Sequence, residues 1–116
     1  MTFRRGGIYL ANFNPTKGGE PGKVRPCLVI QNDGLNSAQH RTTAVLPLTT
    51  RLMDDAHPMR LTINARDDLR RDSQIMIDQI RAFDNQRFTS GELAFLNDAE
   101  MAQIDECLKI VLGLGE

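Results

Sequence analysis

The chain has 116 residues, 41% of them hydrophobic and 25% charged, which is the make-up of one ordinary globular domain spanning residues 1–116 and excludes a disordered or fibrous chain. No apolar run approaches the roughly 20 residues of a membrane span. The basic start Arg4-Arg5 leads into no apolar signal-type segment, so no membrane association is expected and the cytoplasm is the default location. The net charge of −1 hides an asymmetry: residues 1–60 carry eight Lys/Arg against four Asp/Glu, and residues 61–116 carry six against eleven. The first half can therefore present Arg4, Arg5, Lys17, Lys23, Arg25, Arg41, Arg51 and Arg60 to an anion, or the charges can be scattered over a folded surface.

Residues 7–13 alternate, with Ile8 and Leu10 on one face and Tyr9, Ala11 and Phe13 on the other, and predict a mostly buried strand. Residues 14–23 hold three Gly and two Pro, a composition that excludes helix and strand interior and predicts a surface loop. Lys17 and Lys23 ride on that loop, where glycine permits close approach to a phosphate; a solvated hairpin connection is the plainer alternative.

Residues 24–30 predict the second strand, with Arg25 on the face of Cys27 and Val29, and Val24 on the face of Pro26, Leu28 and Ile30. Pro26 biases Arg25 towards extended backbone, so its guanidinium is launched from the mouth of a strand. Position alone leaves Arg25 either as a solvated strand end or as a ligand-facing cation. Cys27 and Cys107 are the only cysteines and have no His or Cys at metal spacing, so both read as small buried hydrophobes.

Asn32-Asp33-Gly34 ends the strand, and a polar connection with about one helical turn follows. Residues 42–50 predict a third strand that Pro47, lacking an N–H, assigns to an edge or ends early. Thr49, Thr50 and Arg51 then lie near a strand terminus, where side chains can meet a ligand. In the charged loop 51–57, Asp54, Asp55 and His57 make a poor metal set, and no metal or cofactor is expected. Residues 58–65 alternate as a half-buried strand with Met59, Leu61 and Ile63 inward, and residues 66–72 are a charged turn.

Residues 73–83 predict the longest strand, although polar groups fall on both of its faces from Asp78 onward. A buried unpaired carboxylate costs several kcal/mol, so Asp78 must be solvated, paired to Arg81 or Arg25, or placed in a site. A turn at 84–91 and a short helix at 92–96 follow. A longer helix begins at Asn97, whose partner Glu100 completes a capping pair; its stripe of Met101, Ile104, Leu108, Val111 and Leu112 serves core or dimer packing, and Gly113 ends it. Five short strands and one C-terminal amphipathic helix predict a mainly β, α+β domain, a small antiparallel barrel or strongly curled sheet.

Five pieces in order, Gly6-Gly7-Ile8-Tyr9-Leu10, Asn14-Pro15-Thr16-Lys17-Gly18-Gly19-Glu20, Val24-Arg25-Pro26-Cys27-Leu28-Val29-Ile30-Gln31-Asn32, Arg71-Asp72-Ser73 with Asp78-Gln79-Ile80-Arg81, and Val111-Leu112-Gly113-Leu114, resemble the MazF/PemK/Kid family of toxin endoribonucleases. The resemblance implies an SH3-like barrel acting as a homodimer and a metal-independent cleavage of single-stranded RNA to 2′,3′-cyclic phosphate and 5′-hydroxyl ends. It also implies neutralisation by a cognate antitoxin, with DNA bound only through the antitoxin complex. Arg25 matches the family's catalytic arginine and Thr49 its catalytic threonine. Asp78 falls where some members carry a catalytic acid, but the arginine two positions earlier in those members is Met76 here, and no histidine precedes His40. Asp78 and Gln79 are therefore expected first as RNA-groove contacts, together with Asn14, Thr16, Lys17, Gly19, Lys23 and Arg81. Gly19 and Pro21 replace residues that are often polar in relatives, so base preference does not transfer. A non-enzymatic barrel toxin or binding module is the rival class; gyrase poisons of this shape act through a C-terminal tryptophan, and this chain has no Trp.

Overall fold

The computed structural model describes residues 2–14, 18, 19 and 23–115. Seven strands, β1 (Gly7–Asn12), β2 (Val24–Val29), β3 (Thr42–Thr49), β4 (Arg60–Ile63), β5 (Ser73–Met76), β6 (Arg81–Asp84) and β7 (Phe88–Phe95), join α1 (Asp33–Ser37) and α2 (Asp98–Leu112). Every ladder is antiparallel. The order is β4-β5-β3-β2-β1-β7, with β6 also paired to β3. Among the described residues the sheet is strongly curled, is not a closed barrel, and has seven strands where the alternation alone predicts five.

Pro47 shows why. It lies inside β3, which is central and not an edge: one side of β3 pairs with β2 through Cys27↔Pro47, Leu28↔Leu46 and Val29↔Val45. The other side pairs with β6 from Thr42 to Val45 and with β5 from Leu48 to Thr49. Pro47 falls between those two ladders, where the sheet divides and a missing N–H leaves no bond unmade. The predicted long strand 73–83 divides at the same place. Residues Ile77–Gln79 form a 3-10 turn, so the polar residues from Asp78 onward mark a corner between β5 and β6 and not a strand interior.

Of the helix expected at 92–96, residues 92–95 are the end of β7. Glu92, Leu93 and Ala94 favour helix, but so short a segment cannot hold one alone and loses to pairing with the second edge of β1. Bulges interrupt this ladder near Tyr9, and the Ser90 hydroxyl accepts the Leu10 N–H at 2.9 Å in place of a backbone carbonyl. Met59, expected inward, precedes β4 in a turn and is exposed.

Both faces of the curled sheet are covered. On one, Ile8, Leu28, Leu46, Leu48, Ile75 and Ile77 pack against Met101, Ile104 and Cys107 of α2. On the other, Phe3, Tyr9, Phe13, Phe83 and Phe88 meet Cys27, Val29 and Val45, with Phe13 and Phe83 edge-to-face at 4.6 Å. Asn97 caps α2 as the sequence predicts, with both bonds of the capping box present, and Gly113 closes it at φ 70°. Leu112, expected in the stripe, is exposed, and Cys107 takes a place in the core instead. Ion pairs join distant segments: Arg4 forks onto Glu92, Arg5 meets Asp105, and Arg66 meets Glu100 at 2.7 Å. Among the described residues no helix is long and apolar enough to cross a membrane.

Candidate functional site

The β2–β3 ladder ends at Cys27↔Pro47. Two residues further, the same register places Arg25 across from Thr49, and Thr49 in turn pairs with Gln74 of β5 and Gln74 with Thr62 of β4. Directly opposed residues share a face of a sheet. A row of Arg25, Thr49, Gln74 and Thr62 therefore crosses four strands. Arg25 Nη1 donates to the carbonyl of Leu48 at 3.3 Å, which anchors the guanidinium at the residue before Thr49. The Thr49 hydroxyl accepts the Arg51 N–H at 3.2 Å. A hydroxyl that accepts on one side keeps its own proton to donate on another.

The Arg25 and Thr49 end of this row opens into a cleft of about 770 Å³ whose wall includes Arg25, Thr49, Thr50, Arg51, Arg60, Arg70, Arg71 and Gln79. Leu10, Val24, Pro26, Leu69 and Leu93 supply apolar wall between them. Among the described residues of the wall, five arginines face one acid, Asp68. Such a balance favours a polyanion, and the apolar patches suit the faces of bases.

Residues 4–112 match the family described as PemK-like, MazF-like toxin of type II toxin-antitoxin system. The chain belongs to this toxin family. Endoribonuclease EndoA of Bacillus subtilis is 39% identical over 115 residues, covering 98% of this chain and 97% of that protein. MazF from Deinococcus radiodurans superposes with a TM-score of 0.81 at 24% identity, over 98% of this chain and 99% of that one. An endoribonuclease from a mycobacterial species in complex with its cognate antitoxin gives 0.75 at 20% identity, over 97% and 96%. The structural likenesses establish the fold.

Within the toxin, burial pushes the Arg25 guanidinium below its ordinary pKa, since half-burial strips water from the charge. The positive surface does not follow the two halves of the sequence. Arg4 and Arg5 are taken up by Glu92 and Asp105, and Arg41 lies outside the cleft wall. Two cleft arginines, Arg70 and Arg71, come from the acidic half, because the turn before β5 folds back beside β2 and β3.

The other expected site residues scatter. Gly19 and Gln79 line the cleft. Asp78, beside Gln79 on the 3-10 turn, is exposed, is not part of the cleft wall and makes no ion pair among the described residues. Arg81 also lies off the cleft wall and stacks on Phe83 at 4.4 Å. Asn14 and Lys23 close the base of the first loop: the Lys23 N–H donates to Asn14 Oδ1 at 3.0 Å, and Arg87 donates to the Asn14 carbonyl at 2.6 Å. Lys23 is exposed with φ 67°. The expectations for Thr16 and Lys17 lie outside the described residues.

Residue patterns named Arg60 only among the cations of the first half and did not single out Arg70, Arg71 or the neighbouring Gln74. The charged run at 66–72 and a glutamine at the head of an apolar strand were visible signals, but it takes the ladder register to connect Gln74 to Thr49, and the fold of the turn before β5 to bring Arg70 and Arg71 to the cleft.

Proposed function

We propose that this chain is a sequence-specific, metal-independent endoribonuclease toxin that cuts single-stranded RNA in the cytoplasm, acts as a homodimer and is neutralised by a cognate antitoxin. The observation that carries the reading is the Arg25 guanidinium bonded to the carbonyl before Thr49, inside a cleft whose described wall holds five arginines and one acid. Family membership and the relative named as an endoribonuclease support the substrate class.

In the proposed reaction the ribose 2′-oxygen attacks the adjacent phosphorus and the bond from phosphorus to the 5′-oxygen breaks. A proton leaves the 2′-hydroxyl and another reaches the departing oxygen, giving a 2′,3′-cyclic phosphate and a 5′-hydroxyl. Negative charge grows on the non-bridging oxygens, and donors held in place before the reaction stabilise it most. Arg25 is assigned that role, with its flat fork of donors fixed by Leu48. Its lowered pKa lies in the direction that favours giving a proton to the departing 5′-oxygen. Thr49 donates its hydroxyl proton to the same phosphate. Asp78 and Gln79 are assigned to the outer groove, where unstacked bases expose their edges.

The toxin is incubated with a long unstructured RNA in EDTA and the new ends are mapped. Fragments with 5′-hydroxyl ends are expected, clustered at one short motif. Intact RNA in EDTA, with cleavage restored by a divalent cation, would overturn the proposed chemistry.

A further inference from the structure

Gln74 is buried at the head of β5, directly opposite Thr49. Its side-chain amide holds the chain after β3 on both sides: Oε1 accepts the Met53 N–H at 3.0 Å, and Nε2 donates to the Met53 carbonyl at 2.8 Å. Nε2 also donates to Thr62 Oγ1 at 3.1 Å. A glutamine so placed turns a loop end into a fixed edge, since a paired amide clamp replaces two backbone ladder bonds.

The same amide reaches Arg60. Arg60 Nη1 donates to Gln74 Oε1 at 3.4 Å and to the Arg51 carbonyl at 3.2 Å. Those two bonds occupy one terminal nitrogen. The Nε and Nη2 edge of Arg60 donates to no described residue and makes no ion pair among them, and Arg60 lines the cleft. The Nε–Nη2 edge is the pair of parallel donors that fits two phosphate oxygens. β4 lies two strands from β3, roughly 10 Å away at ordinary strand spacing, so Arg60 does not compete with Arg25 for the scissile group.

We propose that Arg60 receives a second, non-scissile phosphate of the RNA strand and that Gln74 is the positioning residue that holds it there. The proposal rests on the RNA-cleaving reading of the cleft. Gln74 gives this edge its direction: its oxygen fixes Nη1, and its neutral amide leaves the guanidinium charge for the ligand. A carboxylate at the same place would keep the acceptor that meets Arg60 and cancel its charge, while giving up the donor that meets the Met53 carbonyl.

The test measures binding of a 2′-O-methyl oligouridylate, which lacks the attacking hydroxyl, as a function of salt. For single strands, each phosphate neutralised contributes about 0.7 to the slope of log affinity against log salt. Arg60→Ala is expected to lower the slope by about that amount, Gln74→Glu to match it, and the double variant to lose no more than either alone. Arg41→Ala, outside the cleft, should leave the slope unchanged. With cleavable RNA, Arg60→Ala should raise KM about tenfold and leave kcat within a factor of two, the pattern of a contact made equally before and during the reaction.

Wild-type protein without salt-dependent binding would remove the RNA reading itself. Wild-type binding with an unchanged slope in Arg60→Ala overturns the second phosphate site. A full slope in Gln74→Glu alongside a reduced one in Arg60→Ala overturns the role of Gln74. Gln74→Met, of similar length and uncharged, guards against misfolding of the glutamate variant; it should keep the slope while weakening binding through a looser Arg60, and unchanged binding would equally overturn that role.

Discussion

Thr49→Val separates chemistry from stability more cleanly than any other change at the site. Valine keeps the branched shape and deletes the hydroxyl, whose visible partner is the Arg51 N–H at 3.2 Å. Arg51 is exposed, so its orphaned N–H is taken up by water, and the cost to folding should stay below about 1 kcal/mol. A hydrogen bond from a hydroxyl to a charged phosphate is a larger loss, about 1.5–3 kcal/mol, or a fall of roughly 10- to 150-fold in rate. Single-turnover cleavage of a defined RNA, alongside urea unfolding of the same preparations, measures both. Thr49→Ser, which keeps the oxygen, should recover most of the rate. A valine variant that cleaves at the wild-type rate would refute the proposed role of the hydroxyl, and one that loses several kcal/mol of stability would refute the reasoning about solvent at Arg51.

Three other outcomes follow from the same structure. Asn97→Ala removes one bond of the α2 capping box and leaves the other unsupported, so thermal or urea unfolding should show a loss of about 1 kcal/mol. Glu92 and Glu100 are held below the ordinary carboxylate value, first by hydrogen bonds from Arg4 and Arg66. The unfolded chain therefore binds more protons than the folded one in mild acid: the stabilisation is present above the unfolded value near 4.5 and lost as pH falls through the lower folded values. Urea midpoints measured from neutral pH downward should fall across that window, and Glu100→Gln should flatten the decline. Burial pushes the Cys27 thiol up to about 12 and raises Cys107 as well, so a thiol reagent at mildly alkaline pH should label neither in native protein and both in denaturant. Rapid labelling of the native form would mean that the face of the sheet holding Cys27, or the α2 packing, opens readily.

What could be read from the residues alone was local. Alternation placed Arg25 at a strand mouth and Thr49 at a strand end, and both lie in the cleft. Asn97, Glu100 and Gly113 marked the ends of α2 because capping is chemistry between near neighbours. Long-range pairing was not legible. Residues 92–96 read as helix until β1 offered them an edge, and Pro47 read as an edge until the division between β5 and β6 gave it a place without a missing bond. The break in pattern at Asp78 was visible, but its meaning, a corner and not a buried carboxylate, depended on β5 and β6 pairing with different parts of β3. Arg70, Arg71 and Gln74 escaped notice for the same reason, and Arg60 stood only as one of eight cations, since their place near Arg25 depends on strand pairing and on the turn before β5.

Catalysis here is assigned above all to the half-buried Arg25 guanidinium. Single-turnover cleavage of RNA in EDTA by Arg25→Ala and Arg25→Lys, each verified as folded by its melting curve, is the decisive measurement. Alanine should cost about two to three orders of magnitude in rate, the scale of removing one preorganised donor, and lysine should rescue little, because its point charge cannot reproduce the fork. A folded alanine variant that cuts RNA at the wild-type rate would contradict that assignment.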